Sequence, residues 1–147
     1  MTQENYEGSY YLISHLVLIT GLTDRTLRSY LSSGILQGEK INGLWHFTAE
    51  QVEQFLRHPA VKPSIQAKRN ALVYDFMIDT KKQEPQICVI MDLPGCDVKK
   101  TAAYFCYSIS TGDYKNMQFS FDDTGGTPRV ILKGKTADVL KLVNEYK

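Results

Sequence analysis

Two glycines, Gly21 and Gly34, enclose the stretch that constrains the fold of this chain most strongly. Between them, Leu27 and Leu31 lie four positions apart, which places both side chains on one face of a helix. Thr23 can cap the beginning of that helix, and a glycine commonly follows the last helical turn in a left-handed conformation. The stretch therefore predicts a short capped helix that buries one side and exposes its polar side chains.

The preceding residues predict a first helix, separated from this one by a glycine turn. Residues 10–13 are a short β-like run, and Ser14 is a suitable N-cap for a helix over residues 15–20. A helix, a glycine turn and a second helix in this order are typical of a helix-turn-helix motif. Arg25 and Arg28 then lie on the outer side of the second helix, where they can contact a phosphate backbone or a major groove.

A hairpin is predicted after the second helix. Asn42-Gly43 stands between apolar-rich flanks, and both residues tolerate the positive φ that a two-residue hairpin turn requires. Strand alternation places Leu44 and His46 on one side of the hairpin, and Trp45 and Phe47 on the other. We expect Trp45 and Phe47 to hold the hairpin on the core.

These residues resemble the N-terminal winged helix of MerR-type transcriptional regulators, over about the first 57 positions. The shared pattern is a helix containing RTLR at 25–28, a Gly-Ile-Leu turn at 34–36, and a hairpin ending at 43–48 before a capped helix. The resemblance implies that the second helix lies in the major groove of duplex DNA and that the hairpin is a wing along the backbone. It also implies a homodimer on two-fold symmetric half-sites.

Carried over position by position, the resemblance implies DNA contacts on the helix and on the wing. Arg25 and Thr26 would approach bases or phosphates, and Arg28 and Tyr30 would hold the backbone. The predicted DNA-binding residues are Thr23, Arg25, Thr26, Arg28, Tyr30, Lys40, Asn42 and His46.

The wing departs from the family pattern. Trp45 stands where the family has a wing arginine, and Leu44 and Phe47 stand where it has tyrosines. Loss of the arginine removes a charge-assisted phosphate contact. That contact is left to Lys40 and His46.

Two more helices follow the hairpin. Thr48 and Gln51 have the spacing of a capping box, and Pro59 ends the helix that they begin. Across a linker with two prolines, Ser64 is the predicted N-cap of a helix over residues 65–80. An apolar stripe runs along this helix, formed by Ala67, Ala71, Tyr74 and Ile78. The stripe would pack either on the second domain of its own chain or on a second copy.

The rest of the chain predicts a small α/β unit. Residues 86–93 are a continuous apolar run, which is typical of a buried strand. The following segments predict a helix capped by Asp97, a strand over 114–121, a glycine-rich turn over 122–127, a strand over 129–133 and a helix beginning at Gly134. The order is β-α-β-β-α, with helices on one face. Its aromatic residues would line a small pocket or form an ordinary core: Tyr104, Phe105, Tyr107, Phe119 and Phe121.

The predicted fold class is α+β in three parts. Residues 1–60 form a winged helix-turn-helix domain, 61–85 a linker and connecting helix, and 86–147 a small α/β domain for dimerisation or sensing. If that domain is a sensing module, a small-molecule effector would bind there; the sequence gives neither the existence nor the identity of one.

Other chemistry has weak support in the sequence. No CxxC pair and no metal-ligand spacing occur among the cysteines and histidines, so no metal site and no cofactor are predicted. Gly134-Lys135-Thr136 lacks the first glycine of a phosphate-binding loop. No nucleophile, base and orienting group can be assembled, so we expect no enzyme. No run reaches the roughly 18 apolar residues of a membrane span, and no secretion signal begins the chain, which predicts a cytoplasmic protein without membrane contact.

Charge leaves two functions open. The net charge is only +1, with a net of −2 over residues 1–60 and +3 over 61–82, so DNA binding requires a local basic face. A face joining Arg25, Arg28, Lys40 and residues 62–69 would favour a DNA-binding transcriptional regulator. Interruption of that face by Asp24 and Glu39 would favour the alternative, a winged-helix protein-interaction module.

Overall fold

The computed structural model describes residues 10–112, 114 and 116–146, which form a mixed α+β protein with six helices and two small sheets. The helices are α1 Ile13–Thr20, α2 Asp24–Ser33, α3 Ala49–Arg57, α4 Lys62–Ile78, α5 Val98–Thr111 and α6 Thr136–Glu145. The strands are β1 Glu39–Ile41, β2 Leu44–His46, β3 Gln86–Asp92, β4 Gln118–Thr124 and β5 Thr127–Lys135. The chain divides into two compact units within α4: among the described residues, the first unit comprises 10–70 and the second begins at Ala71.

Glycines and a threonine cap set the bounds of α1 and α2. Gly21 has a φ of +77° and ends α1, where its N–H donates to the carbonyl of Val17. Thr23 Oγ1 accepts from the N–H of Thr26 at 3.1 Å, which confirms the predicted cap of α2. Gly34, with a φ of +83°, ends α2 as predicted.

The prediction that Ser14 caps the first helix is wrong. The helix begins at Ile13 with Leu12 as the N-cap residue, and Ser14 lies exposed in the first turn. The N–H of Leu12 donates to Nδ1 of His15 at 2.9 Å. The imidazole thus takes the part that a Glu or Gln side chain takes in a capping box. Histidine is not among the residues of the capping-box sequence pattern, so this role was not predicted.

The hairpin turn confirms its prediction. β1 and β2 pair antiparallel, and the turn residues Asn42 and Gly43 have φ values of +52° and +82°. The β-like run expected over residues 10–13 is limited to an isolated bridge between Tyr11 and Phe47. That bridge joins the beginning of the unit to the end of the hairpin.

The capping box of α3 is also confirmed. Thr48 Oγ1 accepts from the N–H of Gln51 at 3.1 Å, and Gln51 Oε1 accepts from the N–H of Thr48 at 2.9 Å. The fully buried side chains of this unit come from α1, α2, α3 and the segments directly after α2, after β2 and before α4: Leu16, Ile19, Leu27, Leu36, Phe47, Phe55 and Val61. They form one core beneath α2 and the hairpin.

The beginning predicted for α4 is wrong. The helix begins at Lys62, so Ser64 lies inside it and Pro63 is not in the linker. Proline is tolerated in a first turn because the N–H groups there have no helical partner. The apolar stripe of Ala67, Ala71, Tyr74 and Ile78 is exposed along its whole length.

The second unit has the predicted element order, β3-α5-β4-β5-α6. Its sheet is antiparallel in the order β3-β5-β4, so β5 is central. α5 and α6 contact each other, since Tyr104 in α5 donates its hydroxyl to the carbonyl of Leu142 in α6 at 3.2 Å. Both helices pack on the sheet through one core, in which Phe105 lies 6.2 Å from Phe119, measured between ring centroids.

The aromatic residues of this unit are mainly core residues. Tyr104, Phe105, Phe119 and Phe121 are all 6% exposed or less, and Tyr107 is half-buried. Of the two possibilities that the sequence left open, a pocket lining or an ordinary core, these residues form the core.

Three bounds in this unit differ from prediction. β4 begins at Gln118 instead of 114, and the turn contracts to Gly125-Gly126 because both strands extend to it. Gly134 does not begin α6; it lies in β5, paired with Ile87. A Cβ at Gly134 would lie 3.4 Å from the Cα of Met117, which is an ordinary packing distance, so it is the pairing with Ile87 that places this residue in the strand.

The prediction that the first strand of this unit is buried is also wrong. Among the described residues β3 pairs only with β5, and Ile90 in its middle is 56% exposed. The buried central strand is β5, which is shielded by a neighbour on either side.

Candidate nucleic-acid interface

Arg25 is the most available cation on α2. Its side chain is exposed, and no hydrogen bond or ion pair to it occurs within the part of the chain that the structure describes. It lies in the first turn of α2, two residues after the cap at Thr23. A guanidinium held there on a capped helix can donate to a phosphate or to a base edge.

The two threonines of the predicted site serve the helix cap. Thr23 Oγ1 accepts from the N–H of Thr26 and also donates to Thr26 Oγ1 at 2.9 Å. Thr23 is exposed and Thr26 is half-buried. These two bonds hold the first turn of α2, which is the turn that carries Arg25.

Arg28 is paired with a carboxylate of its own helix. Its Nε donates to Oδ1 of Asp24 at 2.5 Å, and the two side chains are 56% and 57% exposed. An exposed pair at this spacing is worth only about 0.3–0.5 kcal/mol, so a polyanion can compete for the guanidinium. Asp24 nonetheless reduces the positive charge on this face of α2.

Tyr30 has a packing role. Its half-buried ring meets Phe55 of α3 edge-on, with 5.5 Å between ring centroids. Its carbonyl accepts from the N–H of Leu36, which fixes the chain after Gly34. Tyr30 therefore holds α2 against the core, and any backbone contact it makes uses the solvent-facing part of the ring.

The hairpin presents different chemistry on its two faces. The register pairs Lys40 with Trp45 on one face, and Trp45 packs 6.4 Å from Phe47 between ring centroids. The other face carries Glu39, Ile41, Leu44 and His46, because Glu39 pairs with His46 and Ile41 with Leu44. Lys40 and Asn42 are both exposed, so a backbone contact by the hairpin would use the Lys40 face and the turn.

His46 is poorly placed for the phosphate contact that the sequence assigned to it. Its half-buried imidazole stacks on the ring of Tyr10, with 4.0 Å between centroids. Nδ1 is buried, and no hydrogen-bond partner for it is found among the residues described. The ring is therefore mainly a support for Tyr10 on the Glu39 face.

Lys68 belongs beside this site although the sequence did not single it out. A Cβ at Gly21 would lie 3.2 Å from Cβ of Lys68, so the stem of this exposed lysine crosses the turn between α1 and α2. The neighbouring Arg69 is only 8% exposed and donates to Gln66 Oε1 at 2.9 Å. Residues 62–69 thus do not present all their cations to solvent, as a continuous basic face would require.

The charge of the first unit is moderately positive. Residues 10–70 hold seven Lys or Arg and four Asp or Glu, a net of +3. Exposed cations without an ion pair among the described residues are Arg25, Lys40, Lys62 and Lys68. The local balance suits a modest number of phosphate contacts.

The remaining candidates have structural roles. His58 Nδ1 accepts from the N–H of Ala60 at 3.0 Å, and Asp123 Oδ1 accepts from the N–H of Gly126 at 2.7 Å in the β4–β5 turn. Gly134-Lys135-Thr136 passes directly from strand to helix without a loop. Over the described residues, no cluster of three His, Cys, Asp or Glu could hold a metal ion, and no helix could span a membrane.

Comparison with known proteins found no match, either among protein-family models or among curated proteins and solved structures.

Proposed function

We propose that this chain is a sequence-specific duplex DNA-binding transcriptional regulator of the MerR-like winged-helix kind, acting as a homodimer. The observation that carries the proposal is Arg25, exposed without an ion pair at the capped beginning of a helix that follows a glycine turn and precedes a hairpin. α2 would enter the major groove, and the hairpin would lie along the backbone with Lys40 and Asn42 toward the DNA. The proposal includes no catalysis and no cofactor.

The second unit would carry dimerisation or sensing. The exposed stripe of α4 is one surface on which a second copy could pack, since it is not buried against the same chain. A dimer would present two α2 helices to half-sites related by a two-fold axis.

The test is selection of bound sites from random duplexes, followed by titration of the enriched site at several salt concentrations. Substituting Arg25→Ala and Arg28→Ala together should abolish the gel shift. Any residual binding should show a log–log salt slope shallower by about 0.9, because the phosphate contact of Arg25 is lost, whereas Arg28 is held by Asp24 in the wild type. The matched control removes two exposed lysines of the other unit, Lys81→Ala with Lys141→Ala, and should bind normally. Binding retained by the arginine variant with an unchanged melting temperature would refute the assignment of α2.

A protein-interaction module is the second candidate, and the Glu39 face of the hairpin favours it. Tyr10, Ile41 and Leu44 are 51%, 40% and 57% exposed, beside the carboxylate of Glu39. An apolar and acidic surface is better suited to a basic, apolar polypeptide than to phosphates. Failure to enrich any duplex, together with polypeptide binding that Leu44→Ser abolishes, would favour this alternative.

A further inference from the structure

β3 lies at the edge of its sheet, but its amino-acid composition is that of a buried strand. Five successive apolar residues, 87–91, form its middle, a pattern typical of a strand covered on both sides. In the structure its one strand neighbour among the described residues is β5. Ile90 is 56% exposed, whereas Ile131, its partner on β5, is 3% exposed.

An edge strand presents unpaired N–H and C=O groups, and proteins usually protect such edges with proline, lysine, bulges or inward-pointing charges. β3 has none of these before Asp92 at its end. Its register with β5 runs without a bulge from Gln86 opposite Lys135 to Asp92 opposite Arg129. β4 on the other side of the sheet, in contrast, carries Asp122 and Asp123.

We propose that β3 pairs antiparallel with β3 of a second copy, so that two three-stranded sheets become one six-stranded sheet. The two copies would be related by a two-fold axis perpendicular to the sheet. Each residue then lies opposite one whose side chain points to the same face, so the helices of both copies cover the same face of the six-stranded sheet. Such an axis passes beside one residue of β3, which lies opposite its own copy. If that residue is Val89, the midpoint of Gln86–Asp92, every residue of the strand has a partner; any other choice leaves some unpaired.

This register is chemically self-consistent. Ile87 lies opposite the second copy's Met91, and Cys88 opposite its Ile90, so every inner pair is apolar. Gln86 lies opposite Asp92 at both ends, and an amide beside a carboxylate avoids like-charge repulsion. Asp92 keeps its bidentate pair with Arg129, at 2.7 and 3.0 Å, on the β5 side.

The surroundings of β3 can extend the contact beyond the strand itself. The face of the sheet that carries Cys88 and Ile90 also carries Lys133, whose Nζ donates to the carbonyl of Leu72 in α4 at 3.3 Å. Later in that helix, Tyr74, Met77 and Ile78 are 61%, 74% and 55% exposed. These side chains add exposed apolar surface, of the kind that stable dimers bury, to the unit that carries β3.

The pairing specifies the dimer of the proposed function, and it can be tested without DNA. The first measurement is the mass of the full chain in solution, by sedimentation over a range of concentrations. The wild-type chain should have the mass of two copies. Ile90→Lys should weaken association at least about tenfold, since the two lysines lie diagonally across the axis about 7–8 Å apart. The control Leu140→Lys makes the same change at a 45% exposed position on α6 and should remain a dimer.

Two results would overturn the pairing. One is a wild-type chain that sediments as a single copy. The other is a dimer that survives Ile90→Lys but is lost in Tyr74→Lys, because this would move the contact to the stripe of α4.

A cross-link tests the register directly and does not depend on the stability of the lysine variant. In the proposed register, Ile90→Cys brings the new thiol opposite the second copy's Cys88, at a Cα separation of about 4.5–5.5 Å that allows a disulfide. Oxidation should give a covalent dimer on a non-reducing gel. Adding Cys88→Ser should abolish it, whereas Cys96→Ser should not. A cross-link that persists without Cys88 would contradict the register.

The DNA titration is read separately. If the chain is a β3-paired dimer but enriches no duplex, the proposed function fails and the pairing stands. If it binds duplex DNA as a single copy, the pairing fails and DNA binding stands.

Discussion

Asp24 is the residue whose removal tests the electrostatics of α2 most directly. Its carboxylate accepts from Arg28 Nε, so in the free protein one of the two cations on this helix is partly neutralised. Asp24→Asn keeps the side-chain shape, removes one negative charge and frees Arg28 for a phosphate. We expect DNA affinity to rise and thermal stability to fall.

Both magnitudes follow from the geometry. One additional phosphate contact releases about 0.9 counterion, which corresponds to an affinity gain of about eightfold at roughly 0.1 M salt and a salt slope steeper by about 0.9. The cost in the free energy of unfolding is roughly 0.5–1.5 kcal/mol, because the exposed ion pair and a first-turn aspartate are both lost. Fluorescence titration of the selected duplex and a thermal melt measure the two effects.

Glu53→Gln is the matched control, since Glu53 pairs with Arg57 at the same spacing on α3, with Arg57 Nη2 2.7 Å from Glu53 Oε1. It should cost about 0.3–0.5 kcal/mol and leave DNA affinity unchanged. If Asp24→Asn binds no better than the wild type, or if both variants gain equally, Arg28 does not face the backbone and the reasoning is refuted.

Three further predictions concern buried groups. Gly38→Ala should lower the stability of the first unit by about 1–3 kcal/mol, because a Cβ there would lie 2.5 Å from the fully buried ring of Phe47. A denaturant titration measures this, and an unchanged unfolding midpoint would contradict it. Burial lowers the pKa of His15 from 6.5, so the folded state binds fewer protons than the unfolded state just below that pH. The free energy of unfolding should therefore fall as the pH drops below 6.5 and level off below the folded-state pKa, and His15→Gln should lose this part of the slope. Burial raises the pKa of the Cys106 thiol far above its usual range. A thiol reagent should therefore label half-buried Cys96 in the native protein and Cys106 only after unfolding. Equal labelling rates for the two thiols in the native protein would contradict this.

Local signals in the sequence were sufficient where the interaction spans a few residues. The Asn42-Gly43 turn depends on two φ values, and the caps at Thr23 and Thr48 depend on a side chain reaching three residues ahead. Element order in the second unit was also predictable, because hydrophobic periodicity changes clearly between its strands and helices.

Predictions failed where distant parts of the chain decide the outcome. Gly134 has the appearance of a helix start, but its pairing with Ile87 keeps it in β5. An apolar run such as 87–91 does not reveal whether a strand has one neighbour or two. These outcomes depend on which segments meet in the folded chain.

The candidate site shows the same division. The pairing of Asp24 with Arg28 could have been predicted, because a carboxylate and a guanidinium four residues apart are neighbours on a helix. The position of Lys68 could not, since it depends on α4 crossing the turn at Gly21.

The central position of β5 has a consequence for the time order of folding. β5 is the last strand to leave the ribosome, yet both β3 and β4 hydrogen-bond to it and not to each other. None of this sheet can form until residues 127–135 have been synthesised, whereas the hairpin near Asn42 is complete much earlier. The β4–β5 pair closes locally at Gly125-Gly126, and β3 must then be recruited from about 40 residues upstream, a slow non-local step during which its apolar edge is exposed.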